Sequence, residues 1–253
     1  HGVAERGLMV PGGALKFHTL WATMPPGREA GSGTTLVWDS RIPYIDPFRS
    51  SSGRLAAVTL CGPGQFHIRV VSVYGPADPS EDPDVTALLY KDFCAQIRFA
   101  RARGTQIMFL GDFNDTPDPD VLFAPRAHKY PPDQSLLLHL NKGGWLDAFR
   151  ELHPSVHGYS FRREGEVPSR LDSIHVPKGW KGSLKFGEAS VDYTCSYFTS
   201  DHFPVSFAIS FHTVFKASSR AVRVLCRRTH LGKLDISALN GAEELKSFHE
   251  ALT

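Results

Sequence analysis

Short apolar runs broken by glycine and proline occupy the first part of the chain, and one long helical repeat follows them. Residues 1–33 mix apolar pieces with Pro11-Gly12-Gly13, Pro25-Pro26-Gly27 and Gly31-Ser32-Gly33, punctuation that predicts strands joined by loops. Apolar runs at Thr34–Trp38, Arg54–Cys61 and Phe66–Tyr74 read as strands, and Gly62-Pro63-Gly64 ahead of the third suggests a hairpin. From about Val85 to Arg103, the residues Val85, Leu89, Phe93, Ile97 and Ala100 recur every three or four positions, which predicts a helix with one apolar stripe. Asp78, Glu81, Asp82 and Asp84 precede it, and Arg98, Arg101 and Arg103 close it. Both ends therefore complement the helix dipole, with Gly104 as a stop, and the acidic run is a capping region rather than a metal site.

Gln106–Leu110 reads as a buried strand ending in Gly111-Asp112-Phe113-Asn114. Helices are expected at Asp133–Leu140 and at Trp145–Leu152, the latter stopped by Pro154. Further strands are expected at Tyr159–Arg162, Leu171–Val176, Ser190–Tyr193 and Val205–Phe211. Such irregular alternation predicts mixed sheets flanked by helices rather than a purely parallel sheet. Beyond His212 the character changes: Lys216, Arg220, Arg223, Arg227, Arg228 and Lys233 accumulate, with no acid between His202 and Leu234. The chain accordingly divides into a domain over residues 1–211 and a basic extension or linker over 212–253. That extension is suited equally to a phosphate backbone and to a solvated linker or the edge of a truncated second domain.

Composition changes this picture little. The 253 residues, 42% hydrophobic and 21% charged, suit a soluble globular protein with a substantial core. A formal net charge of +2 neither demands nor opposes a nucleic-acid partner. No apolar stretch is long enough to span a bilayer, and the first residues lack the basic start and apolar run of a secretory signal. Cys61, Cys94, Cys195 and Cys226 are scattered without a C-x-x-C pair, which reads as reduced thiols in an intracellular protein. His153 and His157 make a poor zinc pair, because Pro154 follows the first and no further ligand pair lies nearby. The chain opens on His1 rather than Met, which fits a processing site or a cut within a longer polypeptide.

Three clusters carry candidate chemistry. A strand ending in Asp112 and Asn114 puts a carboxylate and an amide at a sheet edge, with Phe113 turned back into the core. The carboxylate can position or deprotonate water, and the amide can orient it; turn formation is the competing reading. Ser169-Arg170-Leu171-Asp172 opens a later strand, where Asp172 could fix the tautomer of a histidine and Arg170 could equally be a structural partner of a carboxylate. Asp201 and His202 precede the last strand, the first suited to a hard cation and the second to a phosphoryl group, unless both belong to a surface turn.

In order and context these clusters resemble the endonuclease/exonuclease/phosphatase superfamily. Val73-Tyr74-Gly75-Pro76, Gly111–Asn114, Trp145–Pro154 with Tyr159-Ser160-Phe161, Arg170–Asp172 and Ser200–His202 match its segments in sequence, over roughly Gly31 to Phe211. The resemblance implies an α-β-β-α sandwich of two mixed sheets with outer helices, and in-line hydrolysis of a phosphoester with one or two Mg²⁺ ions, or Mn²⁺ in their place. It further implies that Asp112 activates water and Asn114 orients it, and that Asp172 holds His202 against the scissile phosphate. Asp201 would bind metal, while Tyr74, Arg170 and Asn114 would contact substrate.

The resemblance also exposes a gap. An Asn at the end of the first core strand and a metal-binding Glu on the next have no counterpart before Tyr74, where Glu5 and Glu29 are the only glutamates. The expectation is therefore a sandwich lacking its first core strands and an inactive or nearly inactive fragment. Val-Tyr-Gly-Pro, the Ser-Arg-Leu-Asp-Ser-Ile segment and the basic extension most resemble the endonuclease of a LINE-type retrotransposon polyprotein. That implies a DNA partner and a nuclear setting, and no membrane or protein partner is expected. A phosphatase acting on inositol phosphates or other small phosphoesters, and a non-catalytic remnant binding nucleic acid or protein, are the competing functions.

Overall fold

The computed structural model describes residues 3–10, 13–23, 33–62, 66–115, 130–131, 133–165, 168–184, 188–194 and 200–209. Strands β1 (Ala4–Val10), β2 (Gly13–Thr23) and β3 (Gly33–Asp39) form an antiparallel sheet in that order. Six further strands build the main sheet: β4 (Tyr44–Arg49), β5 (Leu55–Cys61), β6 (His67–Tyr74), β7 (Gln106–Asp112), β8 (Trp145–Asp147) and β9 (Asp172–Pro177). Their spatial order is β4-β5-β6-β7-β9-β8. Only β6 and β7 run parallel, since helix α1 (Pro83–Ala102) carries the chain back between them; the other neighbours are antiparallel. A separate pair, β10 (Glu188–Val191) with β11 (Val205–Ala208), completes the strands.

The expected stripe of α1 is its buried face: Val85, Leu89, Phe93, Ile97 and Ala100 all lie in the core. Asp82 caps the helix by accepting the Val85 N–H, Pro83 stands in the first turn, and Gly104 follows at φ +62°. The stripe packs on Leu55, Ala57, Val71, Val73 and Phe109, and α2 (Leu136–Gly143) adds Leu137 and Leu140 to the same layer. Phe93 and Phe109, both fully buried, meet at 4.5 Å between ring centroids. Truncating either to alanine is expected to cost about 3–5 kcal/mol. The alternate residues Ala56, Val58 and Val70 face the other way and meet Leu20, Ala22, Leu36 and Trp38 of the three-stranded sheet. The result is a mixed α/β sandwich with helices outside the main sheet, as expected from sequence.

Its second layer comes in two parts. Strand β3 lies over β5 and β6, whereas β11 lies over β9 and β10 packs beside α3 (Ala148–Leu152). Leu110, Ile174, Phe203, Pro204 and Val205 line a cleft of about 450 Å³ at this level, together with Asp172 and His202. Near the cleft the chain turns through a short 3₁₀ segment at Lys178–Trp180 and α4 (Lys181–Leu184), which bury Trp180 and Leu184 against Val176. None of the described helices is long and apolar enough to cross a membrane.

Several expected boundaries need correction. Trp145–Leu152 is not one helix: Trp145–Asp147 pairs with β9 as β8, and Asp147 then caps α3 by accepting the Arg150 N–H. The helix expected at Asp133–Leu140 begins at Leu136, where the Ser135 hydroxyl accepts the Leu138 N–H, and runs to Gly143. Tyr159–Arg162 is reduced to bridges at Phe161 with Ser169 and His202. The strand expected at Ser190–Tyr193 occupies Glu188–Val191, and that expected at Val205–Phe211 is described as Val205–Ala208. Cys61 and Cys94 are free thiols, while Cys195, Cys226 and the 212–253 extension fall outside the described residues.

Candidate active site

The site gathers where β7 and β9 meet at one end of the main sheet. In the antiparallel register Asp112 stands directly opposite Asp172, so strand pairing alone brings two carboxylates together on one face. The bridge between Phe161 and His202 then carries the loop before β11 across this edge. His202 Nδ1 lies 2.8 Å from an Asp172 oxygen, and Phe161 meets the imidazole edge-on at 5.1 Å. Ligand atoms of Asp112, Asp172 and His202 all lie within 4.8 Å of one another, the one such acidic-histidine group among the described residues.

Asp112 is held rather than merely placed. Its two oxygens accept the Asn114 backbone N–H at 2.8 Å and the Asn114 amide at 3.1 Å. The same amide donates to the Gly75 carbonyl at 2.9 Å. Asn114 reaches this position through a left-handed turn at φ +49°, a conformation that Asn tolerates, and not through strand alternation as the sequence suggested. Phe113 between them is buried as expected. Gly75 is required for the approach of the two segments, since a Cβ there would lie 2.2 Å from the Phe113 carbonyl oxygen.

Electrostatics set the site apart from an ordinary turn. Burial and then the Asp172 charge push the Asp112 carboxyl up to about 7, against the weaker pull of the Asn114 N–H. Hydrogen bonding to Asp172 raises His202 above the usual imidazole range despite partial burial. Two carboxylates and one imidazole within reach of a single point suit a hard divalent cation, whose charge would relieve the repulsion between the acids.

The remaining expected residues divide. Tyr74 ends β6 opposite Asp112, with the Arg54 guanidinium 4.9 Å from its ring centroid. Arg54 also donates to the Tyr74 and Gly75 carbonyls at 3.4 and 3.2 Å. Arg170, expected to contact substrate, is 3% exposed, and its guanidinium is bound 2.5 Å from Asp147, the structural pairing that competed in the sequence. Asp201, expected on the metal, turns instead to Arg163 on the neighbouring loop, which holds its carboxyl below the ordinary range although burial pulls the other way. In both cases a partner distant in sequence holds the side chain.

Three supporting residues had no role assigned from sequence. The buried Ser160 hydroxyl accepts the N–H groups of Leu171 and Asp172 at 3.1 and 2.9 Å, fixing the start of β9. Tyr130 donates to the Pro76 and Phe113 carbonyls at 2.7 and 3.3 Å and pins the two segments that carry Tyr74 and Asp112. Asp115 accepts the Ser135 hydroxyl at 2.8 Å, tying the loop after Asn114 to the cap of α2. Ser160 lies within a segment already singled out, whereas nothing local marks Tyr130 or Asp115.

The architecture, a mixed α/β sandwich with its site at a sheet edge, is a fold that solved structures share. Among solved structures, the chain is similar to an AP endonuclease from Archaeoglobus fulgidus, with a TM-score of 0.57 and 16% identity over 77% of this chain and 79% of that one. It is likewise similar to a 3'-5' exonuclease from Neisseria meningitidis, with a TM-score of 0.53 and 21% identity over 77% and 80% of the two chains. A further structure, of the 3' phosphatase NExo from Neisseria bound to product DNA hairpin, aligns over the same shares with the same score. At these identities the likeness establishes a common fold. No family model matches the sequence, and no curated protein matches it as a relative.

Proposed function

We propose that this chain belongs to a metal-dependent phosphodiesterase acting on DNA, a nicking endonuclease of a LINE-type retrotransposon polyprotein. The observation that carries the reading is the Asp112–Asp172–His202 group, two carboxylates and an imidazole converging at a sheet edge. Asp112 and Asp172 would hold a divalent cation, Mg²⁺ or Mn²⁺, which supplies charge neutralisation on the phosphoryl oxygens. Asp112 would position or activate the attacking water. Asn114 fixes the direction of that carboxylate. His202, raised by Asp172, offers a donor to the phosphate, and Tyr74 shares this strand edge. The retrotransposon assignment rests on Val73–Pro76, on Ser169–Ile174 and on the basic residues of 212–253, and it implies a nuclear setting.

The 253-residue chain is proposed to be inactive or nearly so by itself. With Asp201 bound to Arg163, the described residues offer a cation two carboxylates, one of them disposed to keep its proton. Mg²⁺ held so sparsely binds weakly. Supercoiled plasmid incubated with Mg²⁺ and the chain, beside Asp112→Ala, tests this. Nicking at the background level is expected from both. Robust nicking abolished by the substitution would overturn inactivity while upholding the catalytic assignment. In a longer polypeptide containing this segment, plasmid nicking lost with Asp112→Ala is expected, and turnover of inositol phosphates without nicking would replace the nuclease reading with the phosphatase one.

A further inference from the structure

Beside His202 the strand ends give way to a rim built from loop 153–165 and the turn after β10. Arg150 on α3 organises it: Nη1 donates to the carbonyls of His153, Pro154 and Val156 at 3.0, 3.3 and 2.6 Å, and Nη2 to that of His157 at 3.4 Å. Gly158, at φ +62°, lies so close over Phe149 that a Cβ would stand 2.2 Å from the ring. A single guanidinium thus fixes the path of a surface loop through four carbonyls.

What this scaffold holds outward is aromatic and apolar. Val156 is 51% and Tyr193 is 55% exposed, and the exposed His157 ring stacks on Tyr159 at 5.1 Å and 21°. Tyr193 meets Phe203 edge-on at 5.2 Å, and Phe203 directly follows His202. The phenol of Tyr193 reaches the backbone of Tyr159, which links the two halves of the rim. Phe161, edge-on to the imidazole, carries the Arg163 guanidinium 5.4 Å from its ring centroid, and Arg162 is exposed. Glu164 and Asp192 are exposed in the same segments, so this is no extended basic track for a phosphate backbone. Ordered aromatic faces continuous with a phosphate-handling histidine suit flat, uncharged groups, and stacking on them is tolerant of base identity.

We infer that Tyr193, Tyr159 and His157 form a stacking wall for an unpaired base adjacent to the phosphate at His202. The preferred substrate is then nucleic acid that is single-stranded or locally unpaired, in place of continuous duplex or a small phosphoester too short to reach the wall. This rests on the proposed function, since the wall acts on whatever phosphate the cluster receives.

Binding of fluorescent oligothymidylate, of blunt duplex and of inorganic phosphate to the 253-residue chain in EDTA tests it, with Mn²⁺ binding measured in parallel on each variant without EDTA. Oligothymidylate is expected to bind more tightly than duplex. Tyr193→Ala should weaken it by about 5- to 100-fold, while Tyr193→Trp retains it. The salt dependence should keep its slope in Tyr193→Ala, because no charge is removed. Mn²⁺ binding should be unchanged in both variants. Wild-type affinity in Tyr193→Ala and His157→Ala, or a preference for duplex, would overturn the wall and leave the metal cluster standing. A wild-type chain that binds neither Mn²⁺ nor oligothymidylate would overturn the wall and the proposed function together.

Discussion

Strand β9 carries two acid–histidine groups, one on each face, and they are built on opposite terms. On the inner face Asp147 lies beside His175 in register and is bound by Arg170, whose side chain is 2% exposed. Burial alone would raise the Asp147 carboxyl, yet the Arg170 charge and the hydrogen bonds from the Arg150 N–H and Arg170 act with their neighbours to offset it, and the group stays below its ordinary range. Burial drives His175 down to about 4, so it is neutral at physiological pH. On the other face Asp172 stands opposite Asp112, with His202 bound to Asp172 and the Arg54 charge acting more weakly on Asp112. Charge is matched in the first group and unmatched in the second. A buried ion pair with a neutral histidine holds β8, β9 and α3 together, whereas an excess of carboxylate at a cleft has no structural merit and suits a cation.

Breaking the matched group should have the largest effect. Arg170→Met leaves a buried carboxylate without its partner and is expected to cost about 3–5 kcal/mol in urea unfolding. Adding Asp147→Leu should recover most of that loss, since the two positions are strongly coupled. A cost no greater than that of a surface substitution would remove the distinction between the two groups.

The unmatched group should respond with the opposite sign. The Asp112 carboxyl titrates near 7 in the folded chain and lower when unfolded, so the native state holds the extra proton between these values. Stability from this group is therefore present at low pH and falls as pH rises through about 7. His202, raised in the fold, adds a decline in the same direction as pH climbs past its own titration. Asp112→Asn is expected to stabilise the metal-free protein by about 1–2 kcal/mol at pH 8, with the gain shrinking toward pH 5. Thermal melts across that range check both sign and window, and a destabilised Asp112→Asn at pH 8 would mean that the acids are already balanced.

The smallest effect is expected at Asp201. Its pairing with Arg163 is largely exposed, at 59% for the arginine side chain, and Asp201→Ala should change stability by under about 1 kcal/mol. Mn²⁺ affinity should also stay within twofold or so of wild type, unlike in variants of the cluster. A tenfold loss of Mn²⁺ affinity in Asp201→Ala would restore the ligand role that sequence suggested.

What the sequence made legible follows the range of the interactions. Helix α1 could be read because stripe, cap and stop lie within one segment, from Asp82 to Gly104. Asp112 and Asn114 could be placed at a strand end, and the Asp172–His202 contact followed from the resemblance. Trp145–Asp147 was mistaken for helix because its partner in β9 lies far along the chain and Asp147 serves both as strand end and as cap. The pairings of Arg170 and Asp201 were illegible for a related reason: the partners Asp147 and Arg163 are brought near only by the fold. Tyr130 binds carbonyls of two other segments and left no local trace at all.

Mn²⁺ binding to the 253-residue chain at pH 8, followed by electron paramagnetic resonance, tests most directly whether the unmatched acids form a metal site. Saturable binding of Mn²⁺ by the wild-type chain is expected, lost in Asp112→Asn and in Asp172→Asn and kept in Asp201→Ala. Binding that survives both cluster substitutions, or a wild-type chain that takes up no Mn²⁺, would contradict the assignment.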